Sequence, residues 1–394
     1  MTNPVTNPVL NTVLDKIYID RETLDSRLSQ RLISLYPNDK IEIVTSDFTK
    51  DHKGNLSKDQ FEWSKKNLFV TNFKGYFFKR CPGATQKKTI TCCNYYVLNL
   101  GSQCNFNCSY CYLQSYLNTP IMKAYANIDK AIEELRSMME EFPKLPYRVG
   151  TGEVIDSLSL DPLTLFSRDL IPVFNEFPHW TLEFKTKSDN VDQFLDLGPC
   201  PNVIVSWSIN PPHIIEKEEH STARFSERIS AAIKCKNKGF PLAFHIDPII
   251  WHENWQENYA FLVDEIIKNF TPEDIKVFSL GTLRFQPEQR YLMKERFGMD
   301  SYVNNSEMFL SDTGKMRYDW HQRNEMFQFI YKRFKNHSPN WNIFLCMETP
   351  ETWATSVNSS PMSVTGLKDF FRPLPKIKHE GEDSDEKNEP TIFN

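Results

Sequence analysis

The chain has 394 residues, with 46 basic and 51 acidic side chains, a net charge of −5, and 40% hydrophobic residues. These values exclude collagen-like, coiled-coil and wholly disordered chains and suit one large domain with extensions, or two domains. No apolar run reaches the ~18 residues of a membrane span, and Met1 to Asp20 lacks the basic start and apolar core of a secretory signal. A cytoplasmic location is expected. There, the nine cysteines are better suited to metal binding or chemistry than to a disulfide scaffold.

Residues 1–60 are polar and mixed, with helical hints between Leu24 and Leu35. The segment 65–88 then carries seven basic residues (Lys65, Lys66, Lys74, Lys79, Arg80, Lys87 and Lys88) and no acid, interleaved with Phe69, Phe73, Tyr76, Phe77 and Phe78. It could bind a nucleic-acid backbone and stack bases, or pack its rings on the rest of the fold. The slight negative charge of the whole chain does not exclude such a local patch.

From residue 95 a regular alternation begins. The pattern predicts strands at 95–100, 148–151, 181–186, 202–210, 241–250 and 276–280. It predicts helices at 127–142, 163–174, near 191–195, at 226–236 and at 259–268. Alternation of this kind implies parallel βαβ units with right-handed crossovers. Six units predict an α/β fold, a partial (β/α)6 barrel. The expected organisation is an N-terminal extension (1–94), the barrel (95–283), a C-terminal extension (284–373) and an acidic tail (374–394). A long helical stretch is expected between Glu307 and Phe334, and a last strand at 342–346. The tail crowds Glu380, Glu382, Asp383, Asp385, Glu386 and Glu389 together and is expected to be disordered.

The strongest motif follows the first predicted strand: Cys104-Asn-Phe-Asn-Cys108-Ser-Tyr110-Cys111. Three cysteines in so short a loop can converge on one metal centre. A structural zinc site wants four protein donors, and no fourth Cys or His lies close by. Three thiolates suit a [4Fe–4S] cluster whose remaining iron is open to a cofactor. The ends of parallel strands are where such folds keep their chemistry.

On these residues the chain resembles the radical SAM superfamily. Cys111-Tyr112-Leu113-Gln114, Thr186-Lys187, Ser206–Asn210 and Pro241–Ile250 further resemble, in the same order, segments of spore photoproduct lyases. The similarity spans roughly residues 95–350. It implies that Cys104, Cys108 and Cys111 ligate the cluster, and that S-adenosylmethionine (SAM) binds its open iron. One electron, from a flavodoxin or ferredoxin, then releases a 5′-deoxyadenosyl radical, which abstracts hydrogen from a substrate. Tyr110 would meet the adenine through its backbone, and Tyr112 would lie near the radical path. Glu153, with Asp156 as the alternative, would face the methionyl ammonium. Lys187 would face the SAM carboxylate, and Ser208 would contact SAM. Each of these five also has an ordinary packing or solvated reading. His245 and Asp247 alternate on the fifth strand and should share a face, as SAM or substrate contacts or as a His–Asp pair in the core. No catalytic residue is assigned.

The chain also departs from that family. Spore photoproduct lyases carry a hydrogen-donating cysteine just past the second strand. Arg148 to Thr164 holds none, and Glu153 falls at its place. The lyase's DNA-inserting hairpin is not legible in 314–334, which reads as helix with Tyr318, Trp320 and Met326 packing. Cys81, Cys92 and Cys93 could bind a second cluster, give hydrogen or be structural, and Cys346 is a further candidate donor, though small buried thiols are common. Cys200 and Cys235 look incidental. Arg284, Arg290, Lys294 and Arg296 form a second, weaker basic group. Three functions follow. The leading one is a radical SAM enzyme with an undetermined substrate. The others are a true photoproduct lyase and a non-catalytic iron–sulfur protein that binds nucleic acid.

Overall fold

A computed structural model describes residues 14–49, 55–81, 90–116, 119–372 and 374–375. The acidic tail from Glu380 onward and the basic pair Lys87 and Lys88 lie outside the described residues.

Seven parallel strands form the principal sheet. In chain order, which is also their spatial order, they are Tyr95–Leu98, Arg148–Gly150, Thr181–Thr186, Val203–Ser208, Leu242–Ile249, Ile275–Thr282 and Ile343–Leu345. Phe78–Arg80 pairs antiparallel with the first strand and closes that edge. The sequential, all-parallel order is what βαβ crossovers produce, and the six-unit open barrel expected from the sequence is present. The strands are buried nearly throughout. The fourth has every residue buried, as a parallel sheet covered by helices requires.

Helices Ile128–Glu141, Phe225–Asn237, Trp255–Asn269 and Trp320–His337 cover the strands that precede them. The helix expected at 163–174 is broken into Asp161–Thr164 and Phe166–Glu176 by Leu165, whose φ is 55°. The helix expected near 191–195 is replaced by turns and the short 3₁₀ segment Leu195–Leu197. Val191 and Phe194 are buried there as single plugs, and Pro199 disfavours a helical residue before it.

The largest correction lies between Glu307 and Phe334. The helix starts only at Trp320, capped by Asp319, whose carboxylate accepts from the His321 amide. Before it, Phe309–Leu310 and Met316–Arg317 form a hairpin, and Arg284–Phe285 pairs with the second arm. Gly314, at φ +79°, turns the chain, a conformation most side chains resist. Phe309 and Leu310 stand in solvent at 52% and 67% exposure. Tyr318 and Met326 are buried as expected, while Trp320 is half-buried.

The N-terminal region is more ordered than its mixed composition suggests. Ile41–Val44, Lys16–Asp20, Asn67–Thr71 and Met122–Tyr125 form a second parallel sheet, closed antiparallel by Gly101–Ser102. Its last two strands come from within the barrel's first crossover, so both sheets share one core. The rings offered for base stacking are used in packing. Phe69, Phe77 and Phe78 are fully buried, and Phe73 stacks on Tyr125 at 4.6 Å. Tyr76 alone of that set is exposed.

Beneath the strand ends lies a buried ion pair. Arg228 and Glu219 meet at 2.7 Å with both side chains fully buried. Arg228 also donates to the Ser208, Ala223 and Thr222 oxygens. Removing one partner of such a pair leaves an uncompensated charge and costs about 3–5 kcal/mol. Arg228→Leu is therefore expected to lose about that much stability in urea titration; a loss below about 1 kcal/mol would contradict the role assigned to the pair.

Candidate active site

A cavity of about 420 Å³ opens at the carboxyl ends of the barrel strands. Every barrel strand delivers residues to it. The loop after the first strand brings Cys104, Cys108, Tyr110, Cys111 and Tyr112. The segment after the second brings Glu153 and Asp156. Lys185 and Lys187 come from the third, Ser208 from the fourth, Asp247 from the fifth and Arg284 from just past the sixth. All eight residues expected from the sequence to hold the metal or SAM therefore line one space.

The cysteine loop is held from four directions. Asn107–Cys108 pairs antiparallel with Glu219–His220. The Ser109 amide donates to the Glu218 carbonyl at 2.8 Å. Lys65 donates to the Cys104 carbonyl at 3.0 Å. Gln289 donates to the Tyr110 and Cys111 carbonyls at 3.2 and 3.1 Å. Neither Lys65 nor Gln289 belongs to a motif. Each comes from an extension far along the chain, so spacing could not have found them.

Cys104 and Cys108 are buried and Cys111 is half-buried. Burial pushes the Cys104 thiol up to about 11, against the pull of Lys65 and with a further push from Cys111. Burial likewise raises Cys108, only partly offset by Lys187. The two buried thiols resist ionisation and become thiolates only when a strong positive centre lies beside them. Among the described residues, no three Cys, His, Asp or Glu side chains close around a point as the ligands of one ion do. A cubane offers each thiolate a different iron, so its ligands stand wider apart than the ~2.3 Å bonds of a single zinc allow. The donor set, three thiols of one loop lining one cavity, fits a [4Fe–4S] cluster.

Tyr110 is buried and its hydroxyl donates to Glu219. Lys187 lies over the Tyr110 ring, 5.6 Å from its centroid. Tyr112 donates its hydroxyl to the Glu153 carbonyl. Glu153 has its carboxylate 4.0 Å from the Lys79 ammonium, and burial raises it while Lys79 opposes. Asp156 is committed elsewhere. It accepts from the Leu158, Ser159 and Lys187 amides and from the Thr186 hydroxyl, at 2.6–3.1 Å. It braces the second loop to the third strand, which leaves Glu153 the better carboxylate for an ammonium.

His245 and Asp247 do share the inner face but do not pair. His245 meets Glu183 at 2.7 Å, and Glu183 also accepts from Ser206. Burial alone would raise Glu183; Arg148, His245 and Ser206 outweigh it and hold that carboxyl at about 2. Asp247 takes a two-pronged bond from Arg284, at 2.9 and 3.1 Å.

The spare cysteines divide. Cys81 lines the cavity. Cys93 accepts from Arg148 and Cys346 from Arg284, and neither is among the residues lining the cavity. Cys200 and Cys235 are buried in the core. Of the second basic group, Arg284 is taken by Asp247, and Arg296 packs on Phe61 while donating to Gln114.

The family model for spore photoproduct lyase matches residues 12–345. The spore photoproduct lyase of Bacillus subtilis is 25% identical over 329 residues, which cover 82% of this chain and 91% of that protein. The enzyme of Clostridium acetobutylicum is 24% identical over 315 residues, covering 74% and 90%. Among solved structures, a spore photoproduct lyase complexed with dinucleoside spore photoproduct superposes with a TM-score of 0.74 at 22% identity, covering 85% of this chain and 100% of that one. A variant of the same enzyme with bound AdoMet and dinucleoside spore photoproduct gives 0.74 at 23%.

Single replacement of Cys104, Cys108 or Cys111 by Ala is expected to abolish the iron held after anaerobic reconstitution, about four atoms per chain in the parent, with the far-ultraviolet circular dichroism unchanged. A variant that kept its full iron would remove that cysteine from the site.

Proposed function

The chain belongs to the spore photoproduct lyase family of radical SAM enzymes, and from that premise we propose that it reverses a thymine-dimer lesion of the spore-photoproduct type in DNA. The observation that supports this reading is one cavity at the strand ends, lined by the three thiols of the cysteine loop, by the side chains expected to meet SAM and by a fourth thiol.

Cys104, Cys108 and Cys111 would hold the [4Fe–4S] cluster, and SAM would bind between it and the outer strands. Together the two supply a carbon radical able to take hydrogen from the substrate. Around them, Glu153 faces the methionyl ammonium and Lys187 the carboxylate, each by a charge-assisted hydrogen bond. Ser208 and the Tyr110 backbone border the nucleoside. Cys81 is the thiol that can return hydrogen. Its S–H bond breaks as a C–H bond forms on the substrate, and the sulfur left behind recovers one electron, from a flavodoxin- or ferredoxin-type donor, and one proton.

The hairpin provides the means of reaching DNA. Its exposed Phe309 and Leu310 are apolar wedges of the kind that enter base steps. Tyr291, at 78% exposure, lies with Arg290 and Lys294 beside Met316 of the hairpin. This face replaces the segment 65–88 as the nucleic-acid surface, because most of the rings of that segment are buried. Among the described residues no helix is long and apolar enough to cross a membrane.

Glu153 favours a second reading. It stands where photoproduct lyases keep their donor cysteine, and an acid there suits a different radical substrate. Anaerobic incubation of the reconstituted protein with SAM, dithionite and dinucleotide spore photoproduct separates the two. Thymine dinucleotide is the expected product, carrying deuterium when the reaction is run in deuterated water. Cys81→Ala is expected to cleave SAM while its repair falls to background. SAM cleavage by the parent with the lesion intact would select the second reading, and no SAM cleavage would defeat both.

A further inference from the structure

Two lysines in the cavity make no hydrogen bond or ion pair through their ammonium groups among the described residues. Lys185 is the penultimate residue of the third strand, two positions before Lys187, and both line the cavity. Lys315 closes the hairpin turn, where its carbonyl accepts from the Ser311 amide and hydroxyl, and its side chain returns to line the cavity. The hydrogen bonds and ion pairs of the described residues include neither ammonium.

Of the four carboxylates that line the cavity, two are held by other groups, one lies near Lys79 and is assigned to the SAM ammonium, and one is exposed at the rim. Asp247 is held by both prongs of Arg284. Asp156 is filled by three amides and a hydroxyl. Glu153 faces Lys79, and Glu288 is exposed at the rim. The two lysines serve one corner. Lys185 acts on Asp247, Lys315 feels Arg284, and both are within electrostatic reach of Cys346. Burial, then Arg284 and Arg317, hold the Lys315 ammonium down to about 8. A half-buried cation beside two guanidinium groups is costly unless a counter-charge arrives with the ligand.

We propose that Lys185 and Lys315 form an anion subsite that takes a phosphate of the substrate, the phosphodiester adjoining the lesion. The proposal rests on the DNA-lesion reading for the source of the phosphate, but not for the subsite itself. SAM brings one carboxylate, and Lys187 beside Tyr110 stands ready for it. Lys185 and Lys315 lie at the Arg284–Asp247 corner and are left for a second anion. Because Lys315 rides on the hairpin, a phosphate held between the two lysines would tie the DNA-facing arm to the barrel.

The test is equilibrium binding to the cluster-loaded protein without reductant, by calorimetry. Two ligands are compared: the spore photoproduct dinucleotide with its phosphodiester, and the dinucleoside lacking it. The parent is expected to prefer the phosphate form by about tenfold or more, the range of a charge-assisted hydrogen bond. Lys185→Met and Lys315→Met should each lose that preference while binding the dinucleoside as the parent does; Lys315→Arg should keep it. The preference should weaken as the pH rises past about 8, where Lys315 progressively loses its charge. The groups facing it are Arg284, Arg317, Cys346 and Cys81. Equal parent affinities, or a preference that survives both methionine variants, would overturn the subsite. If neither thymine ligand binds, inorganic phosphate is the probe. Retention by the parent and loss in Lys315→Met would uphold the subsite although the lesion reading had failed. No phosphate binding by the parent would end it.

Discussion

The buried pair of Glu219 and Arg228 is the constraint on which the site depends. Glu219 accepts the Tyr110 hydroxyl and the Asn210 amide, and its backbone is paired with Cys108. Arg228 reaches from the next helix to the carbonyl of Ser208. One ion pair therefore ties the cysteine loop, the end of the fourth strand and the helix behind it into a single unit. Without that anchor the loop of three thiols would lose its tie to the barrel. The desolvation cost of the pair is offset because every prong of Arg228 is used.

Charge is arranged around that unit in two layers. Below the cavity, Glu183 meets His245 and accepts from Ser206, with Arg148 3.7 Å away inside the barrel. In the cavity, Asp156 and Asp247 are consumed by structure, and the cations exceed the free carboxylates. The result is a site biased toward ligands that carry anions, as both SAM and a nucleic-acid backbone do. Here the difference from a purely apolar radical pocket matters most. Specificity would come from phosphate and hairpin contacts as well as from the shape that receives a base.

The barrel was legible because parallel buried strands and amphipathic helices repeat two strong periods. The cysteine loop was legible because its ligands are local, within eight residues of one another. The side chains at strand ends, Glu153, Lys187 and Ser208, were reachable only through the resemblance, since a single polar residue at a strand end carries no pattern of its own. The N-terminal sheet was missed because its strands are four or five residues long and partly exposed. The hairpin was missed for a related reason: Phe309–Leu310 and Met316–Arg317 are two-residue strands, too short to show alternation. Lys65, Gln289, Arg284 and Lys315 reach the site from distant segments, and no spacing rule links them to Cys104.

Mössbauer spectroscopy of the reconstituted protein, with and without SAM, tests the central claim most directly. Three thiolates and one open corner predict that about one quarter of the iron signal moves when SAM binds, while the rest keeps the signature of thiolate-bound iron. A spectrum unchanged by SAM, or a protein that retains zinc in place of iron, would contradict the account.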